Sequence, residues 1–129
     1  MKLFWIIAII IFIPTSAFAC SCGPQNLFEN YNSIDSIFLG KITESGTESA
    51  TLKVTKTWKG DINESFTISQ PRGKDCTLYI NDKNAEYLIF AQKQDDGKYR
   101  AYRCAGSAKA KDVTKIIEWL NFGTEGSIR

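Results

Sequence analysis

Cys20 and Cys22 stand one residue apart, directly behind the triplet Ala17-Phe18-Ala19. Redox and zinc-binding cysteine pairs keep two residues between their thiols, so a Cys-X-Cys pair fits neither chemistry well. Position is what singles this pair out. Small residues at 17 and 19 form a signal-cleavage site, which makes Cys20 the first residue of the working chain. The other two cysteines, Cys76 and Cys104, are isolated in sequence, and the chain has no histidine. That absence excludes Ser-His-Asp and Cys-His catalysis and every histidine-bearing metal site. A zinc site built from all four cysteines is disfavoured, because Cys76 and Cys104 lack the paired spacing of a zinc ribbon. In an exported chain an even cysteine count favours two disulfides, for which four cysteines allow three connectivities.

Export is itself read from the N-terminus. Met1 and Lys2 begin it, "LFWIIAIIIFI" is its apolar core, and Pro14, Thr15 and Ser16 lead to the cleavage triplet. The apolar run is shorter than the roughly 20 residues that span a bilayer. Residues 1–19 are therefore assigned to a signal peptide rather than a retained anchor, and residues 20–129 to one secreted domain, extracellular or periplasmic. A lipid on Cys20 is disfavoured as well: a lipobox prefers Leu where Ala17 stands. Removing Lys2 leaves 15 basic and 14 acidic side chains. A nearly neutral protein gives no sign of a nucleic-acid partner, which needs a basic stripe against phosphate. Asn63 opens an "NES" sequon whose meaning depends on a source the sequence does not reveal.

The elements that must position the cysteines follow from periodicity. Leu27, Phe28 and Tyr31 predict a short helix within 25–35. "SIFLGKITE" (36–44) reads as a strand. "ATLKVTKTW" (50–58) alternates, with Leu52, Val54 and Trp58 on one face and Lys56 as the exception. "SFTISQ" (65–70) alternates through Phe66 and Ile68, and "TLYI" (77–80) offers one more short strand. "EYLIFAQ" (86–92) is apolar on both faces and predicts a central strand, joined through "QDDGK" to "YRAYRC" (99–104). Tyr99, Arg100, Tyr102 and Arg103 suggest an aromatic-basic strip for single strands. Alternation sends Arg100 and Tyr102 to the opposite face from Tyr99 and Arg103, which favours an ordinary half-buried strand. Val113, Ile116, Ile117 and Leu120 recur at helical spacing, with Asp112 as the expected N-cap and Gly123 as the expected stop. Five or six short strands and a C-terminal helix predict an all-β fold, a small closed barrel.

The opening "CSCGP" resembles the tissue inhibitors of metalloproteinases, whose mature chains begin Cys, Ser or Thr, Cys, any residue, Pro. Asp35 before the first strand, "EYLI" at 86–89 and single cysteines at 76 and 104 match in order. The resemblance covers residues 20–123, as the N-terminal, netrin-like domain. It implies an OB-type five-stranded closed barrel with a C-terminal helix, and the disulfides Cys20–Cys76 and Cys22–Cys104. The chain lacks the family's third disulfide, Asn32 standing nearest its first cysteine, and the family's C-terminal domain.

The resemblance also implies a function: secreted inhibition of zinc metalloendopeptidases. The free amine and carbonyl of Cys20 chelate the partner's zinc and displace its water, so neither thiol is a ligand and the inhibitor needs no cofactor of its own. An α-amino group titrates near about 7.7–8.0, which leaves a useful neutral fraction at physiological pH. Ser21 points at the protease's main specificity pocket, Gly23 and Pro24 form the exit of the strip, and Asp75, Cys76 and Thr77 widen the contact. The implied partner is a zinc metalloprotease bound by a monomer, with no membrane contact after signal cleavage. The alternative is a netrin-like interaction module that inhibits nothing, in which Cys20 and Cys22 only fasten the barrel. An enzyme is disfavoured by the missing histidine and the lack of a convincing acid pair.

Overall fold

The computed structural model describes residues 26–71 and 76–127. The expected signal segment, the strip Cys20, Ser21, Cys22, Gly23 and Pro24, and Asp75 lie outside the described residues. Asn26 caps the first helix, α1 (Leu27–Ser33), its side-chain oxygen accepting from the backbone N–H groups of Phe28 and Glu29. No residue of α1 is fully buried. Phe28 is exposed, and Tyr31 anchors the helix by meeting Trp119 edge-on, ring centroids 6.2 Å apart.

The strands are β1 (Ser36–Ser45), β2 (Ser49–Lys59), β3 (Ser65–Ser69), β4 (Glu86–Lys93), β5 (Tyr99–Ala101) and β6 (Ala108–Lys109). All pair antiparallel, in the order β3-β2-β1-β4-β5, with β6 also on β4. The described residues are thus mostly β, with two α-helices among them. β4 is central, as its sequence predicts, because it is apolar on both faces. Tyr87, Ile89 and Ala91 join an inner cluster with Phe38, Ile42, Leu52, Ile68 and Ile80. Leu88 and Phe90 join an outer cluster with Ile34, Ile37, Leu39 and Leu120. The outer cluster is roofed by α2 (Thr114–Ser127).

Irregularities in β2 account for the misfit at Lys56. Leu39 pairs with Lys56 but Gly40 pairs with Val54, so Thr55 is an extra residue. Such a bulge turns the following residues to the other face. Leu52 and Val54 face the inner cluster, whereas Trp58 packs against the outer one. The single apolar face expected for Leu52, Val54 and Trp58 is therefore two faces, and Lys56 is no exception once the frame has shifted.

Three boundaries also differ from expectation. Asp112 belongs to a one-turn 3-10 helix (Ala110–Asp112), and α2 starts two residues later. Gly123 does not stop α2, which runs on to Ser127. Thr77–Ile80 forms no strand: Thr77 makes an isolated bridge with Tyr102, and the Leu78 N–H donates to the Ala101 carbonyl at 2.8 Å. The Gln70 side chain takes the place of a further ladder. Fully buried, it accepts from the Ile80 N–H at 2.8 Å and donates to the Ile80 carbonyl at 3.2 Å. Buried amides need such partners, and a further bond from the same amide to the Gly46 carbonyl at 3.3 Å completes this one.

The expected closed barrel is, on its hydrogen bonds, an open sheet. The edge strands β3 and β5 approach through Phe66 and Tyr99, whose rings lie 4.9 Å apart, yet no ladder joins them. No helix among the described residues is long and apolar enough to cross a membrane.

Candidate functional site

Of the residues singled out by sequence, Cys76, Thr77 and Cys104 are described, and the fold brings them to one end of the sheet. The bridge between Thr77 and Tyr102 does this, and the Arg103 N–H donates to the Cys76 carbonyl at 2.9 Å. Two cysteines 28 positions apart thereby become neighbours across a short antiparallel pairing. Neither is a free thiol. Cys76 has φ +59°, a left-handed conformation that an L-residue other than Asn, Asp or Gly rarely adopts. Thr77 presents an unusual hydroxyl beside it, out of solvent and without a hydrogen-bond partner among the described residues.

Cys104 sits in a 3-10 turn, Arg103–Ala105, which also removes Arg103 from the strand predicted for it. The turn ends at Gly106, where φ is +123°. A Cβ there would lie 2.8 Å from the Phe90 ring, so conformation and space both demand glycine. Behind the turn the buried Ser107 hydroxyl accepts from the Phe90 N–H at 2.7 Å, tying the cysteine turn to the central strand.

The helix α1 reaches the same end. The Asn30 side-chain amide lies 3.4 Å from the carbonyl oxygens of both Cys104 and Ala105. Residues 20–25 run directly into Asn26, the cap of that helix. The chain thus enters the described fold at an element already in contact with Cys104. Sequence reasoning missed Asn30 and Gly106. Nothing in the sequence could have linked Asn30 to a carbonyl 74 positions away, although a glycine two residues past a cysteine was a visible turn signal. Asp35, matched as a family position, has a local duty: its carboxylate accepts from the Lys93 N–H at 2.7 Å and fixes the end of β4.

Beside the cysteine end lies a cleft of about 350 Å³ whose lining includes Tyr79, Asn81, Arg103, Lys109 and Lys111. Its best-defined electrostatic feature is the ion pair of Lys109 and Asp82 at 3.0 Å. The hydrogen bond from Lys109, helped by the Asn84 N–H, holds the Asp82 carboxyl below its ordinary value. The same bond raises Lys109 above its own. Both side chains are about a third exposed, so the pair orients the cleft's rim more than it stabilises the fold. Among the described residues, no three His, Cys, Asp or Glu side chains gather as a metal site.

No protein-family model matches the chain, and no curated protein matches it in sequence.

Proposed function

We propose that the chain is a secreted inhibitor of zinc metalloendopeptidases that chelates the protease's zinc through the free amine and carbonyl of Cys20. The observation that carries this reading is the shared location of Cys76, Cys104 and Asn30 of α1. A strip ending at Asn26 has both distant cysteines within one neighbourhood, and bridges Cys20–Cys76 and Cys22–Cys104 clamp it there. A strip fixed in its bound shape loses little entropy on docking, which raises affinity. Loop entropy gives each bridge about 4 kcal/mol as an upper figure.

In this reading Ser21 enters the main specificity pocket, while Asp75, Cys76 and Thr77 form the second wall of the contact. Gly23 and Pro24 carry the strip away to the helix. The sheet is an OB-type barrel whose seam closes between β3 and β5 by side chains. The chain is a monomer without catalytic activity, and the zinc belongs to its target.

The test is to add one alanine before Cys20 by shifting the cleavage point. The Cys20 nitrogen becomes an amide, a poor zinc ligand, and the new residue occupies the metal's place. The native form is expected to inhibit at least one zinc protease in a panel of matrix-type and bacterial enzymes. The extended form is expected to lose most of that inhibition with unchanged circular dichroism and melting. Equal inhibition by both forms removes the chelate mechanism, and none by a verified native N-terminus leaves an interaction module instead.

A further inference from the structure

The cleft of about 350 Å³ beside the cysteine end has two walls of different chemistry. One is the segment 78–81. Leu78 and Ile80 are buried in the inner cluster, and the bonds between Gln70 and both backbone groups of Ile80 pin the segment there. Tyr79 and Asn81 between and after them are exposed and line the cleft. The other wall is basic. Arg103 opens the cysteine turn, Lys109 lies on β6, and Lys111 follows in the next 3-10 turn. This wall is also fixed by its backbone: the Arg103 N–H donates to Cys76, and Lys109 pairs in register with Tyr87 of β4.

Charge narrows the occupant. Three cations line the cleft against the single carboxylate of Asp112. Lys109 is spent on Asp82 at 3.0 Å, whereas Arg103 and Lys111 form no ion pair among the described residues. Arg103 offers a planar fork of donors, Lys111 a point charge and Asn81 an amide, a set that matches a carboxylate. A polymer charged at every unit fits poorly, because Asp82 and Asp112 interrupt the basic wall. A small free acid fits poorly too. Such ligands are held by burying about 70–90% of their surface, and here Tyr79, Asn81, Arg103, Lys111 and Asp112 are all exposed. An acidic side chain carried on a peptide needs no such burial, and the apolar stem of its neighbour can rest on the Tyr79 ring.

We propose that this cleft docks an acidic peptide segment of a partner protein, seating a carboxylate between Arg103 and Lys111. No lining residue belongs to the strip 20–24, so the docking holds whether or not Cys20 reaches a zinc. The test titrates the full mature chain with a blocked peptide of alternating glycine and glutamate, following amide shifts by NMR. The comparison ligands are the same peptide with glutamine for glutamate, free glutarate and a heparin-derived hexasaccharide. The glutamate peptide is expected to saturate, moving the amides of 79–81, 103 and 107–112, and to bind more weakly as salt rises. Arg103→Gln keeps the backbone bond to Cys76 and is expected to weaken binding roughly two- to fivefold, the worth of an exposed ion pair. Arg103→Glu combined with Lys111→Glu reverses the surplus and is expected to abolish binding with unchanged melting. Saturation that the double variant leaves unaltered would overturn the proposal. So would no response to the glutamate peptide, equal binding of the glutamine peptide, or tighter binding of glutarate or the hexasaccharide.

Discussion

The two faces of the sheet are closed by different means. The inner face is covered by the sheet itself: Phe38, Leu52, Ile68, Tyr87 and Ile89 come from strands, and Ile80 is tied to Gln70. The outer face borrows its cover from helices, through Leu120 at full burial and Tyr31, Trp58 and Trp119 at partial burial. A surface closed by its own curvature depends on every strand, while a surface closed by a docked helix can lose that helix. The inner core should therefore govern global stability, and the outer one local opening.

Phe38→Ala gives the largest effect. It empties a fully buried site between Phe66 and the strands, and a loss of about 3–5 kcal/mol is expected in chemical denaturation. Leu120→Ala costs about 2–5 kcal/mol by the same rule, but the two variants separate in hydrogen exchange. In Leu120→Ala, α2 amides should exchange early while β4 stays protected; uniform loss across both would erase the distinction between the faces.

Gln70→Leu sharpens the comparison from the inner side. It leaves the Ile80 N–H and carbonyl unpaired, and costs roughly 1–3 kcal/mol for each buried group left without a partner. Asn121→Ala tests the outer side more gently. Its oxygen accepts from Lys56 Nζ at 2.7 Å and Trp58 Nε1 at 3.0 Å, and their loss should cost about 1 kcal/mol, read as a small fall in Tm.

The smallest effect belongs to the rim pair. Asp82 titrates below its ordinary 3.8, so its stabilisation is present above that pH and fades as pH falls through the lowered value. Lys109, raised above 10.5, contributes below that pH and loses its contribution as pH climbs through the raised value. Asp82→Asn should flatten the acid limb of a Tm–pH profile slightly. An identical acid limb in both proteins would show that the pair contributes nothing.

What the sequence revealed was whatever repeats locally. The double-faced run at 86–92, the alternation of Phe66 with Ile68 and the helical spacing of Val113 to Leu120 all report burial that neighbours share. Pairing of distant groups leaves no such trace. Gln70 reads as the end of a strand, and only the fold shows it gripping Ile80. Asn30 reads as a polar helix residue, yet it touches the Cys104 turn. Asp112 was a sound cap by composition, but the chain spends it on a 3-10 turn first. At the candidate site the neighbourhood of Cys76 and Cys104 could be expected only through resemblance, since no periodicity links positions 76 and 104.

The extra residue at Thr55 has a consequence for how this chain can vary. It works as a frameshift inside a strand: before it the side chains are read by one core, after it by the other. Substitution at 55 leaves that parity alone. Deletion of Thr55 makes Val54 and Lys56 sequence neighbours opposite Gly40 and Leu39, and ordinary alternation then keeps Val54 on the inner core and Trp58 toward the helix roof. The faces of the residues around position 55 should thus survive both its substitution and its removal.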